Sequence, residues 1–79
     1  MTSSSTTRTL CDLTPGQSAT ILEFTGGHAV NKRLASLGFT PGVTVSTIRN
    51  NLNGPLIVMV RGTQVALGRG EAEKIIVRV

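Results

Sequence analysis

The chain has 79 residues, 39% of them hydrophobic, and a formal net charge of +4 from eight Lys and Arg against four acidic residues. A single cysteine excludes an internal disulfide, and no apolar run approaches the roughly 20 residues that a membrane-spanning helix needs. A chain of this size forms one small domain. Because its first residues, MTSSSTT, are polar, we expect a disordered polar tail at 1–8 and a folded domain at 9–79.

The first structural signal is the Thr-Pro-Gly stretch at 14–16. Pro15 and Gly16 suit the central positions of a type II turn, where the second position needs positive φ and therefore favours Gly. The following run QSATILEF, at 17–24, is rich in β-branched and aromatic residues and predicts a strand. Gly26 and Gly27 end that strand, and we expect them to make a turn with positive φ into the next element.

Residues 28–37 predict the one convincing helix of the chain. Four apolar residues repeat there at helical spacing, namely Ala29, Val30, Leu34 and Leu37. Gly38 suits the residue just beyond a helix C-terminus, and Phe39 can close back onto the helix as in a Schellman motif.

The second half of the chain is β-like throughout. Pro41-Gly42 predicts a second type II turn. Asn53-Gly54 predicts a loop, and Gly62-Thr63 predicts a tight hairpin. The segment EAEK at 71–74 predicts one helical turn. The intervening strand-like runs are VTVSTIR at 43–49, LIVMVR at 56–61, QVALG at 64–68 and IIVRV at 75–79. This spacing predicts a mainly β protein in which about five strands curl into a small barrel, with the helix capping one end.

Residues with catalytic or metal-binding chemistry are few. Cys11 is the only cysteine and His28 the only histidine, and the four acids show no recognised ligand spacing. Cysteine is among the most buried residue types, so Cys11 is interpreted as a small core residue. The sequence therefore predicts no catalytic residues, no metal ligands and no cofactor.

The surface offers partner-binding candidates instead. The basic residues are scattered and the chain has no Trp or Tyr, which favours a solvated surface over a nucleic-acid site. Lys32, Leu52 and Met59 are candidates because exposed apolar residues surrounded by Lys32, Arg49 and Arg61 would suit docking on an acidic partner. Neither Leu52 nor Met59 has an obvious place in the core.

Several stretches together resemble the FeoA family of small bacterial ferrous iron transport proteins, over about residues 10–79. They are LCDLTPGQSATI, the GG pair, RLASLGFTPG, GPLIVMVRG and ALGRGEAEKIIV. The resemblance implies an SH3-like β-barrel without catalytic residues, of a kind also found at the C-terminus of iron-dependent repressors of the diphtheria-toxin type. The chain lacks the other parts of those repressors and is expected to be the stand-alone form.

The resemblance also implies a function: a non-catalytic cytoplasmic accessory that docks on the cytosolic part of FeoB, a membrane transporter with a GTP-binding domain. It would support the transporter's assembly or regulate its nucleotide cycle, reach the membrane only through this partner, and be a monomer or weak homo-oligomer. Arg33 would point to a partner or brace the turn after the helix. The other motif positions would be scaffold, namely Pro15, Gly16, Leu34, Leu37, Gly38, Pro41 and Gly42.

Two alternatives remain open at this point. A small basic SH3-like module could bind nucleic acid, in which case its affinity would fall steeply with salt. A direct carrier of iron or another metal is less favoured, because one His and one Cys are few ligands.

Overall fold

The computed structural model describes residues 7–51 and 53–79. Along the chain these residues form β1 (Thr7–Thr9), a 3₁₀ turn (Leu10–Asp12), β2 (Ser18–Phe24), α1 (His28–Ser36), β3 (Thr44–Asn50), β4 (Leu56–Val60), β5 (Thr63–Leu67), α2 (Arg69–Ala72) and β6 (Ile75–Arg78). The strands make one antiparallel sheet in the order β1-β6-β2-β3-β4-β5. The predicted mainly β fold with one short helix is confirmed, and the sheet has six strands rather than about five.

The additional strand is β1. It pairs with β6, where Arg8 lies opposite Val77. The predicted tail is therefore wrong at Thr7 and Arg8, and its remaining part, 1–6, lies outside the described residues. Three polar residues carry too little alternation to be recognised as a strand from sequence.

Both Thr-Pro-Gly stretches form the predicted turns. Gly16 and Gly42 have φ of +89° and +93°. In each turn the residue after the glycine donates its N–H to the threonine carbonyl, at 3.0 Å in the first turn and 3.1 Å in the second. Proline fixes the first central φ and glycine permits the second, so each turn redirects the chain without strain.

The two turns also extend opposite ends of the same β2–β3 ladder. At one end, Gly16 donates its N–H to the carbonyl of Thr47 at 2.7 Å. At the other end, Gly42 donates its N–H to the carbonyl of Ile21 at 2.8 Å. The repeated sequence therefore has a structural reason: each strand is entered through a turn that hydrogen-bonds to the other strand.

Helix α1 ends as predicted. Gly38 has φ of +102° and donates its N–H to the carbonyl of Ala35, while Phe39 donates to the carbonyl of Leu34, both at 3.0 Å. This pair of bonds is the Schellman motif. Phe39 and Leu34 are fully buried, so the end of the helix is anchored in the core.

The core lies on the inner face of the curled sheet. Leu56, Val58 and Val60 of β4 point into it and alternate with half-buried residues, as the sequence alternation predicts. Register shifts occur between Ile21 and Glu23, where β2 meets β6, and between Thr47 and Arg49, where β3 meets β4. Bulges of this kind increase local twist and help a sheet curl.

Hydrogen bonding does not close the described part of the sheet, because β1 and β5 are its two edges. The β4–β5 hairpin differs from the prediction by one residue: Val60 pairs with Thr63, so the turn residues are Arg61 and Gly62. Helix α2 likewise begins at Arg69, two residues before the predicted EAEK segment.

Gly26 has a different role from the one predicted. Neither it nor Gly27 is among the residues with positive φ. A Cβ at position 26 would lie 2.9 Å from Cγ1 of Val30 and 2.7 Å from Cδ of Lys74. Glycine therefore allows the chain before α1 to pack closely against the helix and the start of β6.

Candidate partner-binding surface

Helix α1 presents two of the predicted partner-binding residues to solvent. Leu34 is fully buried and Val30 packs against the core, which fixes the orientation of the helix. Lys32 and Arg33 are exposed on the same helix. These long basic side chains are therefore available on a helix that the core holds in place.

Arg33 also connects the two helices. Its Nη1 lies 2.9 Å from Oε2 of Glu71 in α2, and Glu71 Oε1 accepts the Gly68 N–H at 3.4 Å. Because the Arg33 side chain is 68% exposed, such a pair contributes at most about 1 kcal/mol. Arg33 thus contacts α2, and most of its side chain remains in solvent.

Leu37 departs from the predicted apolar face of the helix. It was expected to be a scaffold residue like Leu34, but it is 39% exposed, and Ala29 is also exposed. The core at the helix end is completed by Phe39. Leu37 lies one turn beyond Arg33, and this i,i+4 spacing makes the two side chains neighbours on the helix surface.

The tip of the β4–β5 hairpin reaches the same end of α1. A Cβ at Gly38 would lie 3.5 Å from Cδ of Arg61, so the Arg61 side chain runs past this glycine. Arg61 and Gly62 have φ of +51° and +81°, the signs expected of a type I′ hairpin. The hairpin thus brings a second cation, after Arg33, to the end of α1 where Leu37 lies.

The remaining candidates lie elsewhere. Met59 is half-buried on the outer face of the sheet, between Ser46 of β3 and Gln64 of β5. Leu52 lies outside the described residues. The structure therefore groups Arg33 and Leu37 with Arg61, and places Met59 on the sheet rather than on the helix.

A separate polar cluster joins the 3₁₀ turn, the end of β3 and α2; we call Cys11, Asn50 and Arg69 the polar clamp. Asn50 Nδ2 donates to the carbonyls of Cys11 and Leu13, at 2.9 and 2.7 Å. Arg69 Nη1 donates to Asn50 Oδ1 at 2.9 Å and to the Asn51 carbonyl at 2.7 Å. The Cys11 thiol donates to the Arg69 carbonyl at 3.3 Å, which completes the ring.

From the sequence, the one cysteine is interpreted as a small core residue, whereas the structure places it beside the core with its thiol hydrogen-bonded in the polar clamp. It is half-buried against the core, and burial raises the pKa of its thiol, although Arg69 acts in the opposite direction. His28 lies exposed at the first residue of α1. Within 7–51 and 53–79, no three His, Cys, Asp or Glu residues gather where a metal ion could be held.

The sequence from the first strand to the end of the chain matches a known family. Residues 8–79 match the FeoA domain. The chain belongs to the FeoA family. A protein of Methanocaldococcus jannaschii named "Putative Fe(2+) transport protein A" is 37% identical over 62 residues, which cover 78% of this chain and 74% of that protein.

Solved FeoA structures share the fold. A crystal structure of an iron uptake regulatory protein (FeoA) has a TM-score of 0.89 and 33% identity, covering 92% of this chain and 97% of its own. FeoA of Stenotrophomonas maltophilia, complexed with zinc and described as a procaryotic SH3 domain protein, has a TM-score of 0.78 and 32% identity over 87% of both chains. The SH3-like fold predicted from the sequence is thereby confirmed. Among the residues of this FeoA domain that the structure describes, no helix combines the length and apolarity needed to cross a bilayer.

Sequence reasoning named Arg61 only as one of the cations around the apolar candidates, without placing it at the end of α1, and it missed Glu71 as part of this surface. The VRGT stretch at 60–63 contained a usable signal, because two residues between β-like runs make the commonest hairpin loop and would place Arg61 in the turn. Glu71 stands three residues after Gly68, the spacing of a capping box, which would have started α2 at Arg69.

Proposed function

We propose that this FeoA-family chain is a non-catalytic, cytoplasmic accessory of ferrous iron uptake that docks on the cytosolic part of a FeoB-type transporter. Through that contact it would support the transporter's assembly or regulate its nucleotide cycle. The observation that carries the proposal is the solvent face of α1, where Lys32 and Arg33 are exposed on a helix anchored by Leu34.

Two further facts support the proposal. The M. jannaschii relative is named as an Fe(2+) transport protein A, and a role as a ferrous iron transport activating factor has been suggested for the S. maltophilia protein. A rigid domain with an exposed basic helix face is suited to recognising another protein, because charge complementarity steers association and fixes orientation.

Titration calorimetry tests the proposal directly. The purified chain is titrated against the transporter's isolated GTP-binding domain and, separately, against its complete cytosolic assembly. We expect binding to at least one of them with a Kd well below about 1 mM. No heat of binding to either, at concentrations up to about 1 mM, would contradict the proposal.

A charge reversal on the helix identifies the docking face. We expect Lys32→Glu to weaken binding about tenfold or more and to leave thermal unfolding unchanged, because the residue is exposed. Arg49→Glu is the matched control: it makes the same change in net charge at an exposed position in β3. Equal weakening by both variants would indicate a general charge effect rather than docking through α1.

A further inference from the structure

Leu37 is an exposed leucine at the end of α1, a helix that packs against the hydrophobic core. The large apolar residues before and after it, Leu34 and Phe39, are fully buried, whereas Leu37 is 39% exposed. The Schellman motif places its closing contact on Phe39 and leaves Leu37 at the surface. More than a third of Leu37 therefore remains in solvent at the end of the helix.

Arg61 is likewise unexplained by the fold. It has the one positive φ of any non-glycine residue in the described chain, at +51°. Asn or Gly would occupy this position of a type I′ turn at lower conformational cost. The guanidinium makes no hydrogen bond or ion pair with any described residue, so no such polar contact offsets that cost.

Leu37 and Arg61 lie at the same end of α1 as Arg33; we call Arg33, Leu37 and Arg61 the Leu37 patch. Arg61 passes Gly38, directly after Leu37, and Arg33 lies one helical turn before it. The one acid paired with this cluster is Glu71, which contacts Arg33. The patch therefore combines one apolar side chain with an excess of positive charge.

We propose that the Leu37 patch is where an acidic segment of the transporter's cytosolic part binds. An apolar side chain of that segment would cover Leu37, and a neighbouring carboxylate would pair with the Arg61 guanidinium. Charge complementarity favours this occupant, because a second copy of this chain that met the patch through its own Leu37 patch would bring cations against cations. The proposal rests on the proposed function and names the surface through which it operates.

A competing explanation is purely structural. A cation near the C-terminus of α1 interacts favourably with the helix dipole, so Arg61 could be retained to stabilise the helix. The two explanations differ in what Arg61→Asn does. Asn relieves the backbone cost but removes the cation, so a docking role predicts unchanged or raised thermal stability together with weaker binding. A helix-stabilising role predicts lower thermal stability and unchanged binding.

The test measures the affinity of the full chain for the transporter's cytosolic assembly by calorimetry and its unfolding by thermal melts. We expect Arg61→Asn and Leu37→Ala each to weaken binding about tenfold, with the melting temperature of Arg61→Asn equal to or above that of the parent. The molecule supplies a matched control pair, because Ile48 is 40% exposed and lies beside exposed Arg49. Ile48→Ala and Arg49→Asn should bind like the parent.

Each other outcome has a distinct meaning. If the parent binds and both patch variants bind equally well, the Leu37 patch is not the docking site, although the proposed function stands. If Arg61→Asn melts lower and binds normally, the structural explanation is correct. If the parent itself does not bind, the proposed function fails and the patch proposal fails with it.

Discussion

Two arginines of this small domain have opposite environments. Arg69, in the polar clamp, is half-buried and donates two hydrogen bonds through one nitrogen, to Asn50 and to the Asn51 carbonyl. Arg61, in the Leu37 patch, is exposed at a residue with positive φ and makes no comparable contact within the described chain. Both side chains carry the same charge, yet one completes the fold and the other extends from it.

The comparison shows how to separate structural cations from those available to a partner. A guanidinium whose donors meet carbonyl and amide oxygens is accounted for by the structure around it. A guanidinium kept at a conformational cost without such partners needs another explanation. Net charge alone, at +4, could not have made this distinction.

The largest effect is expected from breaking the polar clamp with Asn50→Ala. The change removes the donor for the Cys11 and Leu13 carbonyls and one acceptor for Arg69. Leaving such part-buried groups unpaired should lower the free energy of unfolding by about 2–3 kcal/mol. Urea denaturation measures this loss, and Asn53→Ala, at an exposed loop position, is the control.

If the two regions are as distinct as the structure indicates, Asn50→Ala should retain the parent's affinity for the transporter under conditions where it remains folded. A parallel loss of affinity and stability would show instead that the clamp and the Leu37 patch act together.

A smaller effect is expected from Glu71→Gln, which frees Arg33. Gln keeps an oxygen that can accept the Gly68 N–H, so only the ion pair is lost. Because Arg33 is largely exposed, stability should fall by less than about 1 kcal/mol. Affinity for an acidic segment should rise roughly twofold to fivefold, since Arg33 gains freedom to pair with it. Weaker binding measured by calorimetry would contradict the assigned charge of the partner.

The smallest effect is a pH dependence that involves the clamp. Burial raises the pKa of the Cys11 thiol above its ordinary value of 9.0, so the folded state releases this proton at higher pH than the unfolded state. The corresponding stability is complete below pH 9 and is lost as the pH rises through the folded-state pKa. Denaturation curves recorded between neutral pH and about pH 10 measure the slope. Cys11→Ala should flatten it, and an unchanged slope would show that other groups cause it.

Local signals in the sequence were sufficient for much of the fold. Pro-Gly pairs specify their turns because each residue restricts or permits a particular φ, and the alternation in β4 follows from the pleat of a strand. Gly38 and Phe39 mark the end of α1 through the geometry of the Schellman motif. These features depend on neighbours in the chain, so the sequence displays them directly.

The candidate site was less accessible because it depends on contacts between distant residues. Lys32 was predicted as a cation near exposed apolar residues and Arg33 from the family motif. The neighbourhood of Leu37 and Arg61, in contrast, exists only because a hairpin tip reaches the end of α1. The exposure of Leu37 has the same origin: helical periodicity places it near the core face, and Phe39 occupies that space. Leu52 and Met59 were proposed because neither had an obvious place in the core. That criterion gives no information about which residues lie next to them.

The two turns that hydrogen-bond across β2 and β3 make that pairing hard to misalign. A slip by one residue would break the Gly16 and Gly42 bonds together and turn every inward side chain of the shifted strand outward. Each Thr-Pro-Gly turn therefore helps to fix the alignment of a strand that is distant in the chain: Gly16 bonds to Thr47 and Gly42 bonds to Ile21. Substitutions that preserve both glycines should leave this alignment intact, even where they change the strands between them.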